Sequence, residues 1–267
     1  MQQFERDYVQ LVASTLENGE IRETRNGMTE SVFGRSITVP VGNVFPLIQG
    51  RKMYPNGILG EYAALLRRPS CVEDFTKWGC NYWDLWADDN GKLIVDYGNS
   101  WFDFDGYDQI AELKRCLRDD PTNRRMIINS WRPNRLDKLS LPCCHYSYQF
   151  YVENGKTLHM VWTQRSVDLM IGLPSDFVLG AVMLISIARE FNLQPGSIKF
   201  DLGDCHVYQE HREQAMEYCE SSLKANYAPV LYTYSGLPGE DFCNFRPDWL
   251  SLGLVESGPA MQFLLKE

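Results

Sequence analysis

The 267 residues contain no CxxC pair, no Cys/His spacing of the zinc-binding kind, no internal repeat and no low-complexity linker. No metal site is therefore expected, and residues 1–267 read as a single domain. Basic residues are few: 26 Lys and Arg stand against 35 Asp and Glu, for a formal net charge of -9. That deficit excludes a broad nucleic-acid surface, which needs clustered cations, but leaves room for a small phosphorylated ligand held by local arginines. The longest apolar run, Phe177 to Ala188, contains Gly180 and Ser186 and falls short of the ~20 residues of a membrane span. With no secretory leader at the start, Cys71, Cys80, Cys116, Cys143, Cys144, Cys205, Cys219 and Cys243 read as reduced thiols of a cytoplasmic protein. What is present is a large apolar content, 44%, with 13% aromatics, enough for a sizeable core and too much for a disordered or fibrous chain.

Periodicity supplies the elements. Phe4, Tyr8, Val12 and Leu16 mark one face of a helix that Asn18-Gly19 closes. Ser31 to Val41 is β-branched and predicts a strand; Ile58 to Leu66 predicts a helix, and Ser70-Cys71-Val72-Glu73 a capping box for the next. Asp108 to Leu117 predicts a helix stopped by Asp119-Asp120-Pro121, and strands are expected over 126–131, 145–152 and 157–163. Asp176 to Phe191 is apolar nearly all round, the mark of a buried central helix. A strand over 198–202, a helix over 210–223 and a strand over 230–234 complete an α+β pattern, a mixed, mostly antiparallel sheet covered by helices.

Chemistry concentrates in Pro142-Cys143-Cys144-His145. A cysteine in such company is a nucleophile only if neighbouring cations lower its pKa; taken alone it reads more readily as a buried inert thiol. Gln164-Arg165-Ser166-Val167-Asp168 follows after two strands, and Asp204-Cys205-His206-Val207-Tyr208 after the central helix. The run Leu141 to Val152 resembles the nucleophile strand of thymidylate synthases, and the two later motifs, with Gly172, Pro174 and His211, resemble that family's next signatures. Upstream, Arg25-Asn26-Gly27 resembles its phosphate loop, and Trp83 to Asp88, Tyr97-Gly98 and Asn123-Arg124-Arg125 fall in family order. The likeness runs over roughly residues 5 to 215; only the last stretch departs.

The resemblance implies a thiolate that adds to C6 of a pyrimidine nucleotide, so that C5 can attack the one-carbon unit of 5,10-methylenetetrahydrofolate, a co-substrate. It assigns Cys144, rather than Cys143, as nucleophile. It gives Arg25, Arg165 and Ser166 to the phosphate, with Arg124 and Arg125 lent by the partner of a homodimer, and makes Arg165 lower the thiol pKa as well. Glu61 becomes the organiser of proton transfer, where a lone glutamate would otherwise read as a helix-surface residue. Trp83 and Trp86 line the folate region, Tyr97 belongs to the catalytic set, Asp168 meets the pterin, and His206 with Tyr208 holds the sugar.

Two departures bear on the substrate. Thymidylate synthases carry an asparagine where this chain has Asp176, in Leu173-Pro174-Ser175-Asp176-Phe177. An amide suits uracil; a carboxyl group accepts from cytosine N4 and, with one shared proton, completes the N3 contact. Asp176 therefore points to a cytidylate, dCMP or CMP, as in the deoxycytidylate hydroxymethylases, although an ordinary helix N-cap would also fit. Arg132-Pro133 is closer to that branch as well, and Ser175, Phe177 and Arg132 are candidates for reading the sugar 2′ position. The second departure is the tail after Ser251, in which no counterpart of the family's closing segment is evident; admitted water would yield a 5-hydroxymethyl product. Rival expectations are thymidylate synthesis, a dUMP hydroxymethylase, and a catalytically silent nucleotide- or RNA-binding protein.

Overall fold

The computed structural model describes residues 1–266. α1 (Gln3–Asn18) buries Phe4, Tyr8, Val12 and Leu16 on one face, as their spacing predicts. The hairpin β1 (Glu20–Thr24) and β2 (Gly27–Pro40) turns at Arg25 and Asn26. β1 escapes prediction because every one of its residues is exposed, so no alternation marks it. α2 (Pro55–Leu65), α3 (Val72–Thr76), a 3-10 turn at Trp83–Trp86, α4 (Asn99–Phe102) and α5 (Gln109–Asp119) follow. Asp108 caps α5 by accepting from Ala111 N at 2.8 Å. The expected capping box at 70–73 is not formed. Cys71 is the N-cap of α3 without a side-chain bond, and Ser70 N and Oγ instead meet Asp74 Oδ2 at 2.9 and 3.3 Å.

β3 (Ile127–Asn129), β4 (His145–Glu153), β5 (Thr157–Asp168), α6 (Gly172–Glu190), β6 (Gln194–Tyr208), α7 (Arg212–Lys224), β7 (Tyr232–Tyr234) and β8 (Leu250–Leu252) complete the order. Six strands form one sheet, β1-β2-β6-β5-β4-β3, and β7 with β8 a separate pair. Only the β5/β6 contact in the large sheet is parallel; the others are antiparallel, in keeping with the expected α+β class. A parallel pair requires a crossover, and α6 is that crossover.

α6 occupies the core. It is long and apolar enough to cross a membrane by composition alone, longer than the run read from sequence, yet 78% of its apolar window is buried inside the protein. Phe177 shows the packing: its ring meets Phe4, Tyr8 and Phe200 edge-on at 5.7, 5.8 and 5.1 Å. The helix begins four residues before the expected Asp176, at Gly172, because Pro174 in the first turn forgoes an N–H that has no helical partner there.

Candidate active site

The nucleophile segment ends at the start of β4. Cys144 is half-buried, and its N–H donates to the hydroxyl of Tyr97. Cys143 is buried, with its thiol pushed upward by burial, so the two adjacent thiols differ in access. Arg165, on the neighbouring β5, clamps this segment: Nε donates to Cys143 O at 2.8 Å and Nη2 to Pro142 O at 3.0 Å. Its charge pulls the Cys144 thiol down, but burial outweighs it and the net shift is upward. The lowering expected of Arg165 is therefore present, and burial exceeds it. Gly203 of β6 lets the strands close at this point, since a Cβ there would stand 2.7 Å from Arg165 O.

Behind the thiol lies a dry aromatic wall. His145 packs 4.5 Å from both Tyr97 and Trp162 and shares a 2.6 Å hydrogen bond, through Nδ1, with Tyr148 Oη. Burial lowers its pKa to about 3, so it is neutral near pH 7.

Asp176 faces this region. It is the fifth residue of α6, not its cap, and only 8% exposed. Oδ2 accepts from Gln164 Nε2 at 2.7 Å, and Oδ1 lies 3.8 Å from His145 Nε2. Burial raises its pKa well above the carboxylate range, with Glu61 and Asp168 adding to the rise. Gln164 Oε1, also buried, has no partner among the described residues. A carboxyl group and an unfilled carbonyl acceptor thus sit together, a costly arrangement unless a ligand supplies donors.

Glu61, on α2, enters from the opposite wall. Its Oε1 accepts from Trp83 Nε1 at 2.8 Å and its Oε2 from Tyr82 Oη at 2.6 Å, while burial raises its pKa. The reading of Glu61 as a surface residue is excluded. Trp83 stacks on Phe75 at 4.6 Å and meets Trp86 and Tyr97 edge-on. Trp86 Nε1 is buried without a partner among the described residues. These indoles offer flat apolar faces. Asp168 Oδ1 is taken by the N–H groups of Met170 and Ile171, at 2.8 and 3.1 Å. No group of three His, Cys, Asp or Glu side chains able to hold a metal ion occurs among the described residues.

The remaining polar groups line up along strand ends. β5 and β6 place Asp168 beside His206 and Ser166 beside Asp204, and β2 places Thr29 beside Tyr208. His206 Nδ1 lies 3.3 Å from Asp204 Oδ1. Tyr208 feels the charge of Arg25 and the side chain of Asn26, which brings the β1–β2 turn to the site. Arg124 and Arg125 are exposed and stand elsewhere: Met126 O accepts from Phe150 N, so they lie at the far end of β4, roughly 20 Å from Cys144 at ~3.3 Å per residue. They do not reach the thiol of their own chain.

Three sequence readings are revised. Arg132 is buried and held by the carboxylate of Asp96, with Nε to Oδ2 at 3.0 Å, and Phe177 is wholly in the core; neither is free to read a sugar. Ser175 bonds Ile171 O at 2.9 Å. The tail, for which no closing counterpart was expected, folds back beside the site. Gly258 N donates to Gln49 O at 2.8 Å, Leu264 N to His211 Nε2 at 3.1 Å, and Phe263 sits between His211 and Arg51. Sequence reasoning overlooked Tyr82 and gave Gln164 no role; for Tyr82 the available signal was a phenol next to Trp83.

A half-buried thiol, the carboxyl groups of Asp176 and Glu61 and an aromatic wall thus come together beside the sheet. The thymidylate synthase family model matches residues 6–235, and the chain belongs to the thymidylate synthase family. That membership makes it a folate-dependent one-carbon transferase acting on a pyrimidine nucleotide, with methylenetetrahydrofolate as co-substrate.

Proposed function

We propose that this protein is a cytidylate 5-hydroxymethyltransferase with dCMP the favoured substrate, residues 1–267 forming one catalytic unit of a cytoplasmic homodimer. One observation carries the choice of base: Asp176 is buried, beside the partnerless Gln164 Oε1. Cytosine N4 is a donor and N3 an acceptor, so a protonated carboxyl group gives its hydrogen to N3 and, with Gln164, accepts from N4. Burial, which raises the pKa of Asp176, favours this state. Uracil would set O4 against acceptors and leave them unpaired, a mismatch worth up to ~10⁴ in discrimination.

Cys144 adds to C6, and C5 takes the one-carbon unit, which the folate supplies. Loss of the C5 proton and release of tetrahydrofolate leave an exocyclic methylene group on the ring. Water then adds at that carbon, its proton is taken up by Glu61, C5=C6 reforms and the C6–S bond breaks to return the thiolate. Arg25, Arg165 and Ser166 bind the phosphate, and the exposed Arg124 and Arg125 complete the partner's site. An open sheet face with a depression of about 590 Å³, lined by Phe33, Tyr146 and Arg165, supports pairing of two chains there. His206 and Tyr208 hold the sugar, and Trp83, Trp86 and Asp168 the pterin.

The docked tail favours a second reading of the product alone: shielding from water suits hydride transfer and a 5-methyl group. Tritium release from [5-³H]dCMP, beside [5-³H]dUMP and [5-³H]CMP, with methylenetetrahydrofolate tests the base. Release from dUMP alone would end the cytosine assignment, and product mass separates hydroxymethyl from methyl.

A further inference from the structure

Glu61 has two partners of different chemistry. Trp83 Nε1 is a donor only, whereas the hydroxyl of Tyr82 both donates and accepts. At 2.6 Å, Tyr82 Oη gives its hydrogen to Oε2 when Glu61 is ionised. When Oε2 carries a proton, the phenol oxygen can receive it in the same geometry, while Trp83 still serves Oε1 at 2.8 Å. Glu61 thus stays bonded at both oxygens in either protonation state, without moving. For a half-buried carboxyl group on an apolar helix that is unusual, because one of the two states would ordinarily lose a partner.

Tyr82 is well placed for this task. It is the residue before the 3-10 turn at Trp83–Trp86, half-buried, and its ring edge lies near Gly57, where a Cβ would come within 3.6 Å. The same short segment therefore sets the indole wall and the anchor of Glu61. We propose that Tyr82 is a positioning residue that lets Glu61 cycle between carboxylate and carboxylic acid in place, as the base for the water that adds to the exocyclic carbon. This inference rests on the hydroxymethyltransferase reading. In the step, water oxygen bonds to the exocyclic carbon, a water proton passes to Glu61, and the electron pair displaced onto C5 expels the Cys144 thiolate.

The other ionisable groups facing Glu61 are Cys80 and Asp176; Cys80 is held neutral by burial and by the charge of Glu61, and Asp176 is raised by burial. Asp176 bonds Gln164 rather than Tyr82, so removing the phenol acts on Glu61 first.

The test compares pH profiles of product formation for the wild type, Tyr82→Phe and Tyr82→Leu, with saturating dCMP and methylenetetrahydrofolate and mass detection of hydroxymethyl product. Loss of the hydroxyl removes a donor to the carboxylate, so the acid limb of kcat moves upward by about one pH unit in Tyr82→Phe. kcat falls roughly tenfold near neutral pH while the KM for dCMP changes little. Tyr82→Leu shows the same displaced limb. If Tyr82→Phe matches the wild type and only Tyr82→Leu is slow, with the limb unmoved, the ring merely packs and the inference falls. A wild type that gives no hydroxymethyl product from a cytidylate overturns the underlying reading instead.

Discussion

The two ends of the cleft are built on opposite terms. At the proposed base end, Asp176, Gln164 and Trp83 are nearly inaccessible, and burial raises the pKa of both Asp176 and Glu61. At the proposed phosphate end, Arg25 and Arg165 are exposed. Desolvated groups discriminate because a wrong partner leaves them unpaired; solvated charges attract any anion and lose strength to salt. On the proposed reading, identity is read at one end and grip supplied at the other.

The contrast is sharpest where covalent chemistry joins it. Cys144→Ser is expected to reduce tritium release from [5-³H]dCMP by at least ~10⁴, with Cys143→Ser largely active, because of the two sulfurs only that of Cys144 belongs to a half-buried residue. Comparable losses from both variants would erase the distinction. Next, Asp176→Asn should move the dCMP/dUMP preference toward dUMP by on the order of 10² to 10⁴, read as a ratio of kcat/KM. An unchanged ratio would mean that the base end does not read the base through this carboxyl group.

At the phosphate end the effects are smaller and of a different kind. Arg25→Ala should raise the KM for nucleotide about tenfold with kcat nearly kept, and added salt should narrow the gap. An Arg124→Ala/Arg125→Ala chain combined with a Cys144→Ser chain should regain activity that neither has alone; failure to complement would place the two arginines outside the partner's site. The smallest expectation concerns stability. Asp176 binds its proton more tightly folded than unfolded, so stability falls as pH rises above the ordinary carboxylate range. Asp176→Asn should therefore gain relative to the wild type between pH 5 and pH 8 in urea unfolding; parallel curves would argue against a buried, protonated acid.

Legibility in the sequence followed burial in the same way. α6 was plain, since 15 of its residues are buried and hydrophobicity runs round the whole helix. Its start was misplaced because Gly172-Leu173-Pro174 looks like a loop, and that error made Asp176 resemble a cap. β6 was seen only over 198–202 although it spans Gln194–Tyr208, because Asp201, Gly203 and Asp204 interrupt the pattern where the strand approaches ligand-binding groups. Likeness to a family singles out Cys144, the arginines and Glu61 as candidates. It could not reveal that Tyr82 reaches Glu61 across 21 positions, that Arg132 is spent on Asp96, or that the tail returns to His211. Those contacts depend on three-dimensional closure and leave no periodic trace.

The parallel β5–α6–β6 crossover carries Arg165, Ser166, Asp168, Asp176, His206 and Tyr208. These groups are consequently inherited as one segment of chain rather than gathered from distant parts. Opening the backbone at the exposed Asn154-Gly155 turn would leave the segment whole, whereas opening it at Asn192 would divide Asp176 from the strand that carries His206 and Tyr208. Fragment complementation should tolerate the first break far better than the second, and recombination between relatives would exchange specificity most cleanly at the same boundary.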